Sequence, residues 1–423
     1  MKPTLIVLLA LLGASAPDAY ADEPLAAPQP RLQRFGTERV RAFGGPDSVN
    51  RALHRQGTEK ESFFRLHVME RALRPVYAFK ERLSTRHGLT LGTDYNALYQ
   101  GATASLGEDE AAGGVFRLYG HWTALGRGTP TTTEILFRLE NRHRLGSAVA
   151  PENFGTEIGS LLKTANSFAD WGWGITNLQW QQWFEDGRVG FALGQVDLRD
   201  WVDTFDLSNW RTALLGAAVT YPVNPLVSPG LGAAWFSYFR KYNTPYVIAG
   251  IGDANGKAYE FGFDSFFRQK EYYSFVELGW TPSFDSKNDK NVRLTYWHQD
   301  ARKEAGKPEG WGLSFSAAWK FQKRWAPFLR GGYAEGGLIA SKTALVAGLG
   351  LHRRSHDLLG VALGWARPYD TALRDQFTLE LFYRLQISQH IGITPDVELI
   401  LDPSNNPGED WIAVFSLRTQ IAL

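Results

Sequence analysis

The chain has 423 residues, no cysteine, and 45 basic against 44 acidic residues, a balance that excludes the one-signed surfaces of nucleic-acid binders and of polyacids. Aromatic residues make up 13% of it, with 15 Trp. The mean hydropathy of -0.27 argues against a bundle of membrane helices but fits strands that are polar on one face.

Met1 to Ala21 has a positive start at Lys2, an apolar run from Leu5 to Leu12 and an Ala19-Tyr20-Ala21 cleavage pattern, and reads as a signal peptide cleaved before Asp22. Beyond it no stretch approaches the roughly 20 apolar residues of a spanning helix, so membrane passage would need a barrel. Residues 22–57 hold Pro24, Pro28 and Pro30 and scattered arginines without a sustained period, which predicts a flexible arm. Thr58 and Glu61 then form a capping-box pattern. Leu66, Met69, Leu73, Val76 and Leu83 follow at largely helical spacing up to Gly88, so 58–88 is predicted to be one amphipathic helix, kinked at Pro75. It would serve as a docking element, as a partial plug of a barrel mouth, or simply as a cover over the barrel base.

From Asp94 the helical period gives way to alternation. Segments begin near 94, 114, 132, 173, 188, 212, 230, 244, 258, 271, 291, 311, 325, 342, 356, 376, 391 and 411. Each has about the ten residues that a tilted strand needs to cross a bilayer. Asp186-Gly187 and Asn255-Gly256 are hairpin-turn dipeptides expected on the periplasmic side. Longer polar links at 146–170, 198–211, 299–309 and 402–410 interleave with short ones. The last segment shows the pattern most clearly: Trp411, Ala413, Phe415, Leu417, Thr419, Ile421 and Leu423 share one face, and Ser416, Arg418 and Gln420 the other. The predicted fold is all-β, a transmembrane antiparallel β-barrel over 89–423 preceded by a short periplasmic helix. Link parity gives eighteen strands with Ala258–Phe267 counted, and sixteen without the weak segments.

If the apolar faces meet lipid, the opposite faces line a channel. In one strand Ile135, Phe137 and Leu139 point out, leaving Glu134, Arg138, Glu140 and Arg142 inside; in another Phe377, Leu379, Leu381 and Tyr383 point out, leaving Glu380 and Arg384 inside. Arg293, Arg330, Glu398 and Arg418 complete the predicted lining. Mixed arginine and glutamate side chains offer donors and acceptors to hydroxyl-rich neutral solutes, or else satisfy one another and keep the wall wet. Inward aromatics such as Tyr119, Trp183, Trp297 or Phe382 would add flat apolar surfaces, and segment 146–170, with Glu152, Glu157 and Lys163, either folds inward to narrow the bore or stays an exposed loop.

Glu380-Leu381-Phe382-Tyr383-Arg384, then Ile393-Thr394-Pro395-Asp396-Val397-Glu398 and Asp402-Pro403, form a set that resembles the OprB-type carbohydrate-selective porins. Leu193–Asp197, Ala249–Gly256, Trp297–Asp300 and Pro327–Gly331 extend the likeness from about residue 90 to the end. Glu398 and Asp402 depart from the family's usual Gln and Asn. The resemblance implies a sixteen-stranded pore in a Gram-negative outer membrane that passes carbohydrates selectively and passively, with outer-membrane lipid around it, no cofactor and an open question of homo-oligomerisation. A polysaccharide exporter is the alternative, although its lumen should be one-signed. An outer-membrane enzyme is a further one, resting on His298 with Asp300, or Ser355 with His356 and Asp357. Neither cluster suits general-base chemistry, because adjacent strand residues face opposite sides. Nine histidines lack metal-ligand spacing, so no metal is expected.

Overall fold

The alternation read from the sequence closes into a ring in the computed structural model, which describes residues 44–423 apart from 225–226, 240–241, 284–285, 337–338 and 355. The expected signal peptide, most of the expected arm and Ser355 lie outside the described residues. Sixteen antiparallel strands run in sequence order: β1 Leu89–Ala102, β2 Glu110–Leu125, β3 Thr132–Arg144, β4 Gly172–Phe184, β5 Val189–Val196, β6 Gly230–Tyr238, β7 Tyr242–Asp253 and β8 Tyr272–Ser283. They continue with β9 Lys290–Gln299, β10 Gly310–Trp319, β11 Trp325–Gly336, β12 Ser341–His352, β13 Leu358–Pro368, β14 Gln376–Gln386, β15 Ile391–Leu401 and β16 Trp411–Ala422. β16 pairs with β1, from Asp94 opposite Ala422 to Ala102 opposite Val414, and so closes the barrel without a free edge. Among the described residues no helix is long and apolar enough to cross a membrane.

The count is sixteen, not eighteen, because two predicted strands are something else. The apolar run near 212 is buried inside the barrel, where Ala213, Leu214 and Val219 pack with Phe205, Phe328 and Phe382. Ala258–Phe267 carries Phe261, Phe263 and Phe267 exposed at strand-like spacing, yet it forms turns and enters a single π-helical turn, Ser265–Gln269. Aromatic spacing alone imitated a strand there. Short links, such as 185–188, 320–324 and 387–390, share the rim that bears the C-terminus; long ones, such as 145–171 and 254–271, share the other. Asp186-Gly187 falls on the short-link rim, whereas Asn255-Gly256 falls on the long-link rim, opposite to expectation, because its dipeptide opens a long excursion and not a hairpin.

The outer face is apolar, as the side chains of Leu294, Leu313, Phe315, Leu329, Leu345, Leu363 and Leu417 show by their exposure. Tryptophans gather near both ends of the strands. Trp122, Trp325 and the stacked pair Trp280 and Trp319, with ring centroids 5.5 Å apart, lie near the C-terminal rim; Trp173, Trp311, Trp365 and Trp411 lie near the other. This is the aromatic girdle of a bilayer-embedded barrel.

Inside, side chains and folded-in segments fill much of the bore. Several inward rings lie flat over glycines on the neighbouring strand. Trp297 sits over its cross-strand partner Gly312, where a Cβ would come within 2.7 Å of the indole, and Tyr246 covers Gly279 in the same way, at 2.1 Å. Ile412 and Val414, which blur the alternation of the last strand, face inward and pack on Phe154, Ile158 and Ile400.

Helix α1, Val49–Gly57, begins after a hydrogen bond from Gly45 N to the Asp200 carbonyl, and buries Val49, Ala52 and Leu53 against Tyr119 and Leu136 of the inner wall. This stretch was expected to be part of a flexible arm. The apolar triplet on one helical face anchors it instead. Helix α2, His67–His87, starts later than Thr58 because the capping-box side chains do not reach its N-terminus, where Leu66 stands without a side-chain cap. It contains Pro75, buries no residue, and ends on left-handed Gly88 with φ 69°. Tyr77 stacks on His390 and the Trp122 indole donates to the His87 carbonyl, so α2 runs along the C-terminal rim.

Candidate functional site

Two long links turn back into the barrel. Segment 145–171 contains helix α3, Pro151–Glu157, and buries Phe154, Ile158, Ala165 and Phe168 completely. Segment 197–229 contains helix α4, Ala217–Thr220, and buries most of its length, with Trp210 edge-on to Phe168 at 5.1 Å. The second segment carries its own polar groups into the lumen. Those groups must find partners there, because a buried unpaired charge is costly. The wall supplies them.

All ten predicted lining residues are on strands with their side chains inside and buried. Five of the cations reach segment 197–229. Arg138 donates to Asp197 at 2.9 Å and to Asp200 at 3.3 Å, and pairs with Glu140 at 3.2 Å. Glu140 is also held by Arg142 at 2.5 Å. Arg330 donates to the Asp203 carboxylate at 2.6 Å, Arg293 reaches the same carboxylate at 3.5 Å, and Arg293 also donates to the Thr204 carbonyl. Arg418 donates to the carbonyls of Trp210 and, at 2.7 Å, Ala213. From the acidic side, Glu380 accepts the backbone N–H groups of Leu215 at 2.6 Å and Gly216 at 3.0 Å, and Glu398 stands opposite Glu380 in register. Gly216 is needed at this approach, since a Cβ there would lie 3.1 Å from Glu380 Oε2. Glu134 accepts from Thr132 at 2.9 Å and lies 3.3 Å from His121. Arg384 donates to neutral oxygens: Gln420 at 2.9 Å, Gln386 at 3.2 Å and the Arg211 carbonyl at 3.5 Å.

Parity names strand positions, and it does not name the partners that these side chains meet. Asp47, ahead of α1, receives Arg117 at 3.0 Å, Arg211 at 2.6 Å and the Trp210 indole at 2.7 Å. Asp94 of β1 receives Arg117 at 2.7 Å and Tyr119 at 3.0 Å. Glu277 of β8 accepts the Asp203 N–H at 2.8 Å and the Thr295 hydroxyl at 3.0 Å. For Asp94, Arg117 and Glu277 the signal was present, since each occupies an inward position of its strand. For Asp47, Asp203 and Arg211 it was not, because nothing in a loop's own sequence says which wall it meets.

Burial and pairing pull these loop carboxylates in different directions. Burial opposes ionisation of Asp197, but Arg199, at 2.8 Å, and Arg138 overcome it and hold the group below the ordinary carboxylate range. Asp200 is pushed up to about 6 by burial, which the attraction of Arg138 does not offset. Burial also raises Asp203 despite Arg330 and Arg293. Inward Tyr119, Trp183, Trp297 and Phe382 are all buried against the folded-in segments or α1. His298 Nδ1 lies 3.6 Å from Asp300 at the end of β9, and Asp357 accepts the Gln386 N–H at 2.8 Å. Among the described residues no group of three or more His, Asp or Glu side chains is placed to hold a metal ion.

Residues 134–423 match the family described as carbohydrate-selective porin, OprB family. Porin AaxA of Chlamydia felis is 22% identical over 259 residues, which are 59% of this chain and 57% of that protein. Porin AaxA of Chlamydia abortus is 21% identical over the same length and the same shares. The aligned part thus spans a little over half the length of these relatives. Among solved structures, the high-pH structure of Pseudomonas putida OprB superposes with a TM-score of 0.62 at 15% identity, covering 81% of this chain and 96% of that one. A triple mutant of Rhodopseudomonas blastica porin gives 0.50 at 10% identity, covering 79% and 100%. These two likenesses are of fold.

Proposed function

Because the chain belongs to the OprB family of carbohydrate-selective porins, we propose that it is a passive pore through which carbohydrates cross a Gram-negative outer membrane. The observation that carries this reading is the contrast between the two faces of one closed wall: apolar and tryptophan-rimmed outside, charged and hydrogen-bonded inside. A closed ring of strands satisfies every wall backbone group within lipid, and polar inner side chains keep the bore wet. The short links face the periplasm and the long ones the exterior. Family and fold are those of a channel, and no bond is made or broken.

Selection falls to the segment 197–229 and the wall that holds it. Arg138, Glu140, Arg142, Arg293, Arg330, Glu380 and Arg418 set where the narrow section lies, while Glu134, Arg384 and Glu398 offer hydrogen bonds to a passing solute. A sugar presents hydroxyls to such groups and its C–H face to an aromatic ring. The test is reconstitution of the chain in planar bilayers. Stepwise conductance that glucose and maltose partly block is expected. Steps that neither sugar affects would refute carbohydrate selectivity, and a folded barrel without steps would refute the pore.

A further inference from the structure

Between α1 and the C-terminal ends of the wall lies a cavity of about 250 Å³. Six basic side chains line it, Arg51, Arg55, Lys60, Arg211, Lys320 and Arg384, against three carboxylates, Asp94, Asp206 and Asp289. The carboxylates are already engaged. Asp94 is held by Arg117 and Arg211, at 2.7 and 3.3 Å; Asp206 by Arg55 and Lys320, at 3.4 and 3.8 Å; and Asp289 by Lys320 at 3.7 Å. What remains is positive. Arg384 is bonded to neutral oxygens, and Lys60 Nζ donates to the Gln389 carbonyl at 3.0 Å. Arg51 Nε and Arg211 Nη2 are buried donors with no hydrogen-bond partner. Burial first, and then Arg384 and Arg55, bring the Lys60 ammonium down to about 7, which the attraction of Asp94 does not offset.

We propose that this vestibule binds sugar acids, pairing one carboxylate with the unmatched cations around Arg384, Lys60 and Arg51, and sugar hydroxyls with Gln56, Thr212 and Gln420. The inference rests on the porin reading and deepens it, from carbohydrates in general to those carrying a carboxylate. A cavity below the roughly 300–1,000 Å³ of drug-sized sites suits one sugar ring, not an oligomer. The unsatisfied donors argue for an oxyanion over a neutral solute, since charge-assisted hydrogen bonds are about twice as strong as neutral ones.

The test is calorimetric titration of the detergent-solubilised full chain with glucuronate, glucose and acetate, which does not depend on conductance. Glucuronate should bind at least tenfold more tightly than either of the others. Arg384→Gln and, separately, Lys60→Gln should each cut that preference severalfold; Lys60 lies outside the barrel wall, so its variant keeps the fold if Arg384→Gln does not. Equal binding of glucuronate and glucose would overturn the proposal, as would acetate binding as tightly as glucuronate, or a preference that survives Lys60→Gln. Loss of the porin reading shows separately, as absence of stepwise conductance.

Discussion

Replacing Asp203 by Ala should release the narrow section while leaving the barrel closed. Asp203 has φ 53°, sits inside the lumen, and ties segment 197–229 to three strands: β11 through Arg330 at 2.6 Å, β9 through Arg293 at 3.5 Å, and β8 through its own N–H to Glu277 at 2.8 Å. The substitution removes the carboxylate partner of two arginines that are 2% exposed, and leaves Arg330 with only the Asp203 carbonyl at 3.3 Å and Arg293 with the Thr204 carbonyl as ties to the segment. Deleting one partner of a buried ion pair costs about 3–5 kcal/mol. The backbone bond to Glu277 and the contacts at Arg138, Glu380 and Arg418 remain, so the loss falls on the seating of the segment and not on the strand ladder. At 1.4 kcal/mol per tenfold, the released form gains roughly two to three and a half orders of magnitude in population. Single-channel recording should show a larger mean conductance with added fast fluctuations, and hydrogen exchange should speed up within 197–229 alone. Conductance and exchange equal to those of the parent would refute the anchoring role of this carboxylate.

Three further outcomes follow from the same geometry. Arg138→Ala should lower the temperature at which the heat-modifiable gel band shifts, because Arg138 closes on Glu140, Asp197 and Asp200 together, whereas Arg384→Ala should leave that temperature nearly unchanged and move the reversal potential toward cations; similar thermal shifts in both would contradict the distinction. Acidification from pH 8 to 5 should increase anion preference, since Lys60, brought to about 7 by burial, gains its proton below that value and Asp200, pushed to about 6, loses its charge below it; a reversal potential flat across this window would count against both groups, and Asp200→Asn should raise anion preference at pH 7 and remove the acid limb. Gly312→Ala should tilt the Trp297 indole off the wall and reduce conductance, and an unchanged current would mean that the ring has room to slide.

Strand positions were legible because lipid and lumen impose opposite chemistry on alternate residues, so Phe377, Leu379 and Leu381 declare one face and Glu380 and Arg384 the other without reference to the remaining chain. The failures share a cause. Alternation and apolar runs report that a side chain is buried or in lipid, and they do not say against what, so the run near 212 was taken for wall when it packs inside the wall. α1 was missed because Val49, Ala52 and Leu53 supply only one short stripe. The site was half legible for the same reason. Arg330 was identifiable as an inward charge, but its partner Asp203 lies 127 residues away, in a link whose path is decided by the lumen it enters.

The anchors of segment 197–229 are spread around the whole ring, on β3, β8, β9, β11, β14 and β16. Pairings this distant along the chain form late, after the loop-closure entropy of the intervening strands has been overcome. A barrel in which β1 and β16 have not yet met offers the segment only part of its partners. The seating of the segment is thus a property of the closed ring, since only a complete wall presents all of its partners at once.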